Sequence, residues 1–289
     1  MKIGIAQNSY KFDSHGDSES CTEHLRLVEL ALSLGLEGTF VYEHHFTDYL
    51  ISPAPLMNLS YLAGRHPTKF IGTSVLILPT HSLTRLAGQL AWLDNLCRGN
   101  LYVGLGAGRS PAEVQMLSSN SSEFCSSLEE LHSLLQPATS ATSAKVRPTP
   151  EFDVHDRLFV TGSKSNSTAF KRIRGHSPSD SMPPGDIVIT PVTVCSDRSS
   201  AIAMAERDSQ SDLKMRADYY GPGQASTALE DQIVGSPKDL IDEVRTLALH
   251  KPAALALEFA FGQRSASEIE DMITLFAAEV LPHLNKLPN

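Results

Sequence analysis

The chain has 289 residues, 41% of them hydrophobic, which suits a single α/β domain with a sizeable core. A formal net charge of −9 without a dense Lys/Arg patch speaks against nucleic acid and anionic membrane as partners, since both need a positive footprint. No apolar run approaches the ~18 residues that span a bilayer, MKIGIAQNSYKF lacks the apolar stretch of a signal peptide, and four scattered cysteines form no CxxC. The expectation is a cytoplasmic protein with free thiols and no metal site.

Residues 2–7 predict a strand, and 19–34 a helix with Leu25, Val28 and Leu32 on one face and Gly35 as its stop. A second strand over 39–43 runs into Glu43-His44-His45-Phe46. A short helix over 56–64 leads to a third strand at 70–78, whose near-continuous apolar character suits burial on both faces. A helix over 83–96 and a turn at Arg98-Gly99-Asn100 bring a fourth strand at 101–105. Beyond the predicted helix 124–135, an Ala/Ser/Thr/Pro-rich excursion precedes a strand at 158–161 and a helix at 165–173.

The turn-rich run HSPSDSMPPGD follows, then a strand at 187–194 and a helix at 198–208. Ser236-Pro237 with Asp239 opens another helix, residues 253–259 form the last strand, and Ser265-x-x-Glu268 caps a final amphipathic helix. Strands alternating with helices at this spacing mean βα units and a parallel sheet. The count is about seven strands against the eight of a closed barrel, with no room for a further strand and helix between Ile173 and Ile187. The expected fold is a TIM-type (β/α) barrel over residues 1–289 as one domain, incomplete by one βα unit after residue 175.

Four segments carry chemistry. Glu43-His44-His45-Phe46 lies at a strand's carboxyl end, where a barrel places its reactive groups, and histidine is suited to proton transfer near neutral pH. A surface loop holding two histidines is the alternative. Gly104-Leu105-Gly106-Ala107-Gly108-Arg109 lets the backbone approach a ligand and adds an anion handle, or is a plain tight turn. Thr161-Gly162-Ser163-Lys164-Ser165-Asn166-Ser167-Thr168 opens a helix with hydroxyls and one Lys, suited to phosphate, or is an over-provided N-cap. Gly72-Thr73-Ser74-Val75 puts small residues inside a buried strand, as at a bulge or beside a flat ligand, or for packing against a helix.

The runs EHHFTDYLISPAPL, IGTSVLILPTHSLTRLAGQLAWLDNLCRGNLYVGLGAGRSPAE and SSEFCSSLEELHSLL resemble the bacterial luciferase-like flavin-dependent monooxygenases. The segments VRPTPEFDVHDRLFVTGSKSNSTAFKRIRG, IVGSPKDLIDEVRTLAL and LFAAEVLPHL are similar to the same family, in the same order. The resemblance implies an enzyme that uses reduced FMN, delivered by a separate flavin reductase, and O2 to oxygenate an aldehyde, ketone or other small or medium organic substrate. It implies a homodimer formed through helices of the N-terminal half.

By position, His44 matches the family's acid/base histidine beside the flavin, and His44 and Glu43 are the expected catalytic residues. Ser74 and Val75 match the bulge under the flavin ring, often with a non-prolyl cis peptide. Ser163, Lys164 and Ser167 match the phosphate turn, and Gly106 and Arg109 the strand-four loop. Luciferase's Cys-Arg pair on that loop is Gly106 and Ala107 here, and the lid after strand seven is reduced to about 209–229. A shortened barrel is similar to the nonfluorescent flavoprotein of luminous bacteria, so a flavin-binding protein without oxygenase activity is the second reading. A deazaflavin-dependent oxidoreductase is the third.

Overall fold

A computed structural model describes residues 1–284 apart from 109, 118–119, 137–145, 162–170, 175–183 and 226. The chain runs β1 (Lys2–Gln7), α1 (Asp17–Ser33), β2 (Gly38–Val41), α2 (Pro55–Arg65), β3 (Phe70–Ile77), α3 (Leu83–Leu96) and β4 (Leu101–Gly106). It continues through α4 (Pro111–Met116), α5 (Phe124–Leu135), β5 (Leu158–Val160), β6 (Lys171–Arg174), β7 (Ile187–Val194) and α6 (Arg198–Tyr220). It finishes with β8 (Ile233–Gly235), α7 (Pro237–Ala248), β9 (Ala254–Glu258), α8 (Ala266–Leu275), a π turn at Phe276–Val280 and α9 (Leu281–Leu284).

The hydrogen-bonded strand order is β6-β5-β4-β3-β2-β1-β9-β7-β8, with β6 also pairing with β7. Eight strands therefore return on themselves as a TIM-type barrel, and β8 adds a short parallel rung along the end of β7. The expected barrel is observed; the expected gap in it is not. The eighth strand is β6, and it takes residues 171–173 that periodicity assigns to the end of a helix. The rest of that predicted helix, 165–170, lies outside the described residues. β6 was illegible because Lys171-Arg172-Ile173-Arg174 offers one apolar residue among three cations. Its neighbours impose it instead, through Phe159↔Lys171 and Ile173↔Ile187.

Helix α6 also departs from expectation: it runs on to Tyr220 rather than stopping at Asp208. Residues 209–220, read as the start of a lid, are its continuation. The helix buries Ala201, Ala205, Asp208, Ser209 and Asp212. The 3.6-residue stripe is there, but its second half is polar, so a search for apolar periodicity stops early.

The chain divides into two compact units: residues 1–40, 47–51 and 173–289, and residues 41–46 and 52–172. Within the first, β1 and β9 are in register at Ile5↔Leu257, and β9 pairs with β7 at Leu257↔Thr190. Arg26 on α1 ties to Glu270 on α8 at 2.6 Å. Within the second, Val41, Ile71, Leu76, Val103, Leu105 and Val160 from the strands pack with Leu90 and Leu93 of α3 and Leu128 and Leu131 of α5. Among the described residues, no helix is long and apolar enough to cross a membrane.

Candidate active site

Past Val41 the chain leaves β2 through Tyr42-Glu43-His44-His45. Two bonds fix this exit: the His44 N–H donates to Ser52 O at 3.0 Å, and Ser52 Oγ donates to Tyr42 O at 2.7 Å. A loop held this way can aim side chains as firmly as a strand.

Glu43 is buried, 3% exposed, and its carboxylate is fully engaged. The Ile77 N–H donates to Oε2 at 2.8 Å, His45 Nε2 donates to Oε1 at 2.9 Å, and His81 Nε2 reaches both oxygens at 3.0 and 2.9 Å. Burial alone pushes this carboxyl up, but the bonds from His45, His81 and the Ile77 N–H outweigh it and hold the group below the usual carboxylate range. Glu43 therefore anchors the loop to the end of β3 and positions two imidazoles.

The bond to Glu43 raises the His45 pKa above its ordinary value of 6.5, against the opposing effect of burial. The stabilisation from this pair is complete below the unfolded-state value and is lost as pH rises through the folded one. In a ¹H–¹⁵N NMR titration the His45 midpoint is expected to lie above pH 6.5; a midpoint at or below that value would dissolve the pair.

His44 faces a different carboxylate. Its Nδ1 lies 3.2 Å from Glu113 Oε1, and the same oxygen accepts the His45 N–H at 3.0 Å. Glu113 is 1% exposed and sits in the first turn of α4, where Pro111 occupies the opening turn and Ser110 Oγ accepts the Glu113 N–H at 3.4 Å. A carboxylate can only accept, so Nδ1 carries the proton and Nε2 is the basic nitrogen of the neutral ring. The His44 side chain is 15% exposed, and Glu113 2%. A mostly buried imidazole oriented by a buried carboxylate is built to exchange a proton.

Of the residues bonded together here, the sequence singles out Glu43 and His44 but not His81 and Glu113. The signal for Glu113 was present: Ser110-Pro111-x-Glu113 has the spacing of a helix start just beyond β4. His81 carries no pattern beyond a histidine after LPT.

β3 and β4 slip register between Thr73↔Val103 and Leu76↔Leu105, which places one extra residue on β3. The bulge holds Ser74 and Val75, joined by a cis peptide. Thr73 Oγ1 pins it by donating to Gly104 O and accepting the Gly104 N–H, both at 2.9 Å. A Cβ on Gly106 would come within 2.6 Å of Val75 Cγ2 and 3.2 Å of Thr161 Oγ1, so only glycine lets β4 approach the bulge this closely. Ser74, Val75 and Gly106 are thus brought together. Arg109, Ser163, Lys164 and Ser167 lie outside the described residues.

The sequence profile of the Luciferase-like monooxygenase family matches residues 1–160. The oxygenase component of the flavin-dependent trigonelline monooxygenase of Acinetobacter baylyi is 26% identical over 105 residues, 36% of this chain and 29% of that protein. This chain spans less than half the length of the curated relatives it matches. Monooxygenase RslO1 from Streptomyces bottropensis superposes with a TM-score of 0.82 at 21% identity, covering 98% of this chain and 100% of that one. The oxygenating constituent of 3,6-diketocamphane monooxygenase of Pseudomonas putida, a type II Baeyer-Villiger monooxygenase solved with FMN, gives 0.68 at 17% identity and covers 98% of each chain.

Proposed function

The chain belongs to the Luciferase-like monooxygenase family, and from that premise we propose that it is a flavin-dependent monooxygenase that uses reduced FMN and O2 to oxygenate a small or medium organic substrate. The observation that carries the proposal is the His44–Glu113 pair at the exit of β2.

The residues present suit a flat, hydrogen-bonding ring. A bulged strand lies against a glycine with no room for a side chain, and an acid/base imidazole stands on the neighbouring strand exit. In this proposal Ser74, Val75 and Gly106 support the ring, while Ser163, Lys164, Ser167 and Arg109 hold the phosphate. Bound reduced flavin supplies the electrons that activate O2. His44 takes or gives a proton at Nε2, Glu113 keeps the Nδ1 proton in place, and Glu43 holds His45 and His81. The reading of a flavin-binding protein without turnover rested on an open barrel, and the eight-strand ring removes that support.

The test combines the purified chain with FMN, a flavin reductase, NADH and O2, with a panel of aldehydes and ketones. Oxygenated product is expected; NADH consumption recovered entirely as H2O2 across the panel would defeat the proposal. A double Ser163→Ala, Ser167→Ala change is expected to weaken FMN binding by roughly tenfold or more, since bonds to a charged phosphate are the strong kind. Riboflavin binding should barely move, and equal losses for the two ligands would remove the phosphate assignment.

The partners in this reading are a separate reductase and a second copy of the chain. Met57 and Tyr61 on α2 and Trp92 and Leu96 on α3 are exposed large apolar side chains at one-turn spacing, with Trp92 59% accessible. Exposed apolar side chains grouped in this way mark a contact surface. Trp92→Glu is expected to halve the mass seen by light scattering; an unchanged mass would place the interface elsewhere.

A further inference from the structure

The polar stripe of α6 belongs to a cluster that the acid/base chemistry of His44 leaves unused. Glu258, the last residue of β9, accepts from Asn8 Nδ2 at 2.5 Å. Asp212 on α6 accepts from Tyr49 OH at 3.4 Å on one oxygen and from Arg216 Nη1 at 3.4 Å on the other. The Tyr49 ring lies 5.8 Å from that of Tyr219 and 6.1 Å from that of Tyr220.

Asn8 and Gln7 are 4% and 3% exposed. Asn8 Oδ1, on the same amide that meets Glu258, has no hydrogen-bond partner among the described residues, and nor does Gln7 Oε1. Buried polar atoms are seldom left this way without a ligand or water to meet them. Both carboxyls are also held above their ordinary range. Burial and the nearby Asp212 push Glu258 up to about 8, and burial raises Asp212 despite Arg216.

The inventory is one-sided: two carboxyls, two orphaned amide oxygens and three aromatic rings, against two arginines already committed, Arg216 to Asp212 and Arg264 to Asp208. Carboxylates, carbonyl oxygens and ring faces all attract a cation that carries N–H donors. Gln7, Asn8 and Glu258 stand at the carboxyl ends of two adjacent parallel strands, where barrels hold their ligands.

We propose that Asn8, Glu258, Asp212 and Tyr49 form a subsite for the protonated amine of a small organic substrate. The inference rests on the monooxygenase reading only in calling that ligand the substrate. The groups facing Glu258 are Asn8, Asp212, Arg216, Arg264, Tyr10 and Tyr49. An ammonium among them favours the ionised carboxylate, so affinity rises as pH climbs through about 8.

The experiment titrates the full chain with benzylammonium chloride and with benzyl alcohol by isothermal calorimetry. Benzylammonium is expected to bind at least tenfold more tightly. Glu258→Gln and Asp212→Asn, which keep shape but remove the charge, should each lower its affinity tenfold or more, and Tyr49→Leu by a smaller factor. Equal affinity for the two probes, no benzylammonium binding, or unchanged affinity in both carboxamide variants overturns the subsite. FMN binding, followed by flavin fluorescence on the same samples, separates the two readings. Amine binding without flavin binding keeps the subsite and sinks the monooxygenase. Oxygenase turnover without amine selectivity does the reverse.

Discussion

Arg264→Met is expected to cost about 3 kcal/mol of folding stability, at the low end of the range for breaking a buried ion pair. Arg264 is 0% exposed and spends its whole guanidinium on the fold. Nε donates to Asp208 Oδ2 at 2.6 Å, Nη1 to the carbonyls of Val192 and Phe259 at 2.7 Å each, and Nη2 to Thr193 Oγ1. Its own carbonyl accepts from Tyr10 OH at 2.5 Å. One side chain thus joins β7, the loop after β9, and α6. Methionine fills similar volume but removes the donors to both carbonyls and leaves a buried carboxylate without its main partner.

The loss stays near the lower bound because Arg207 still donates to Asp208 Oδ1 at 2.7 Å. Urea denaturation measures it, and adding Asp208→Asn to the same chain should recover part of the loss by removing the stranded charge. Gly262 has the same dependence: at φ +67, a Cβ there would meet the Asp208 carbonyl at 2.2 Å. A midpoint unchanged in Arg264→Met would mean that this network contributes nothing net.

His44→Ala is expected to lower oxygenated product formation by about 10²–10⁴, the usual range for losing a positioned acid/base group. Affinity for reduced FMN should change by no more than a few-fold, because the proposed ring and phosphate contacts are elsewhere. Glu113→Gln should cost less than His44→Ala. Its amide can still accept from Nδ1, but it no longer stabilises a charged imidazolium. Single-turnover product yield measures both. Full activity in His44→Ala would end the acid/base assignment, and a Glu113→Gln loss larger than the His44→Ala loss would assign Glu113 a role of its own.

The sequence located most elements because their signals are local. Strand β1 at Lys2–Gln7, α3 at Leu83–Leu96, α5 at Phe124–Leu135 and β7 at Ile187–Val194 have the bounds that periodicity predicts. The capping boxes at Ser236/Asp239 and Ser265/Glu268 start α7 and α8 as read. The His-His motif was visible because paired imidazoles at a strand exit are rare in any context.

What failed were elements whose residues contradict their surroundings. β6 is a strand because two neighbours pair with it, and α6 continues because its polar stripe meets other polar groups. Neither reason is written in the segment itself.

By itself, then, the sequence determined the βα order, the helix starts and the strand exits where chemistry belongs, since turns, caps and alternation act over a few residues. Tertiary structure alone decided the rest. It chose which carboxylate serves which imidazole: Glu43 holds His45 and His81, while Glu113, 69 positions from His44, orients the ring. It also closed the ring through β6 and gathered Asn8, Asp212 and Glu258 from three distant segments. Burial and charge pairing act through space, and only the folded chain sets those distances.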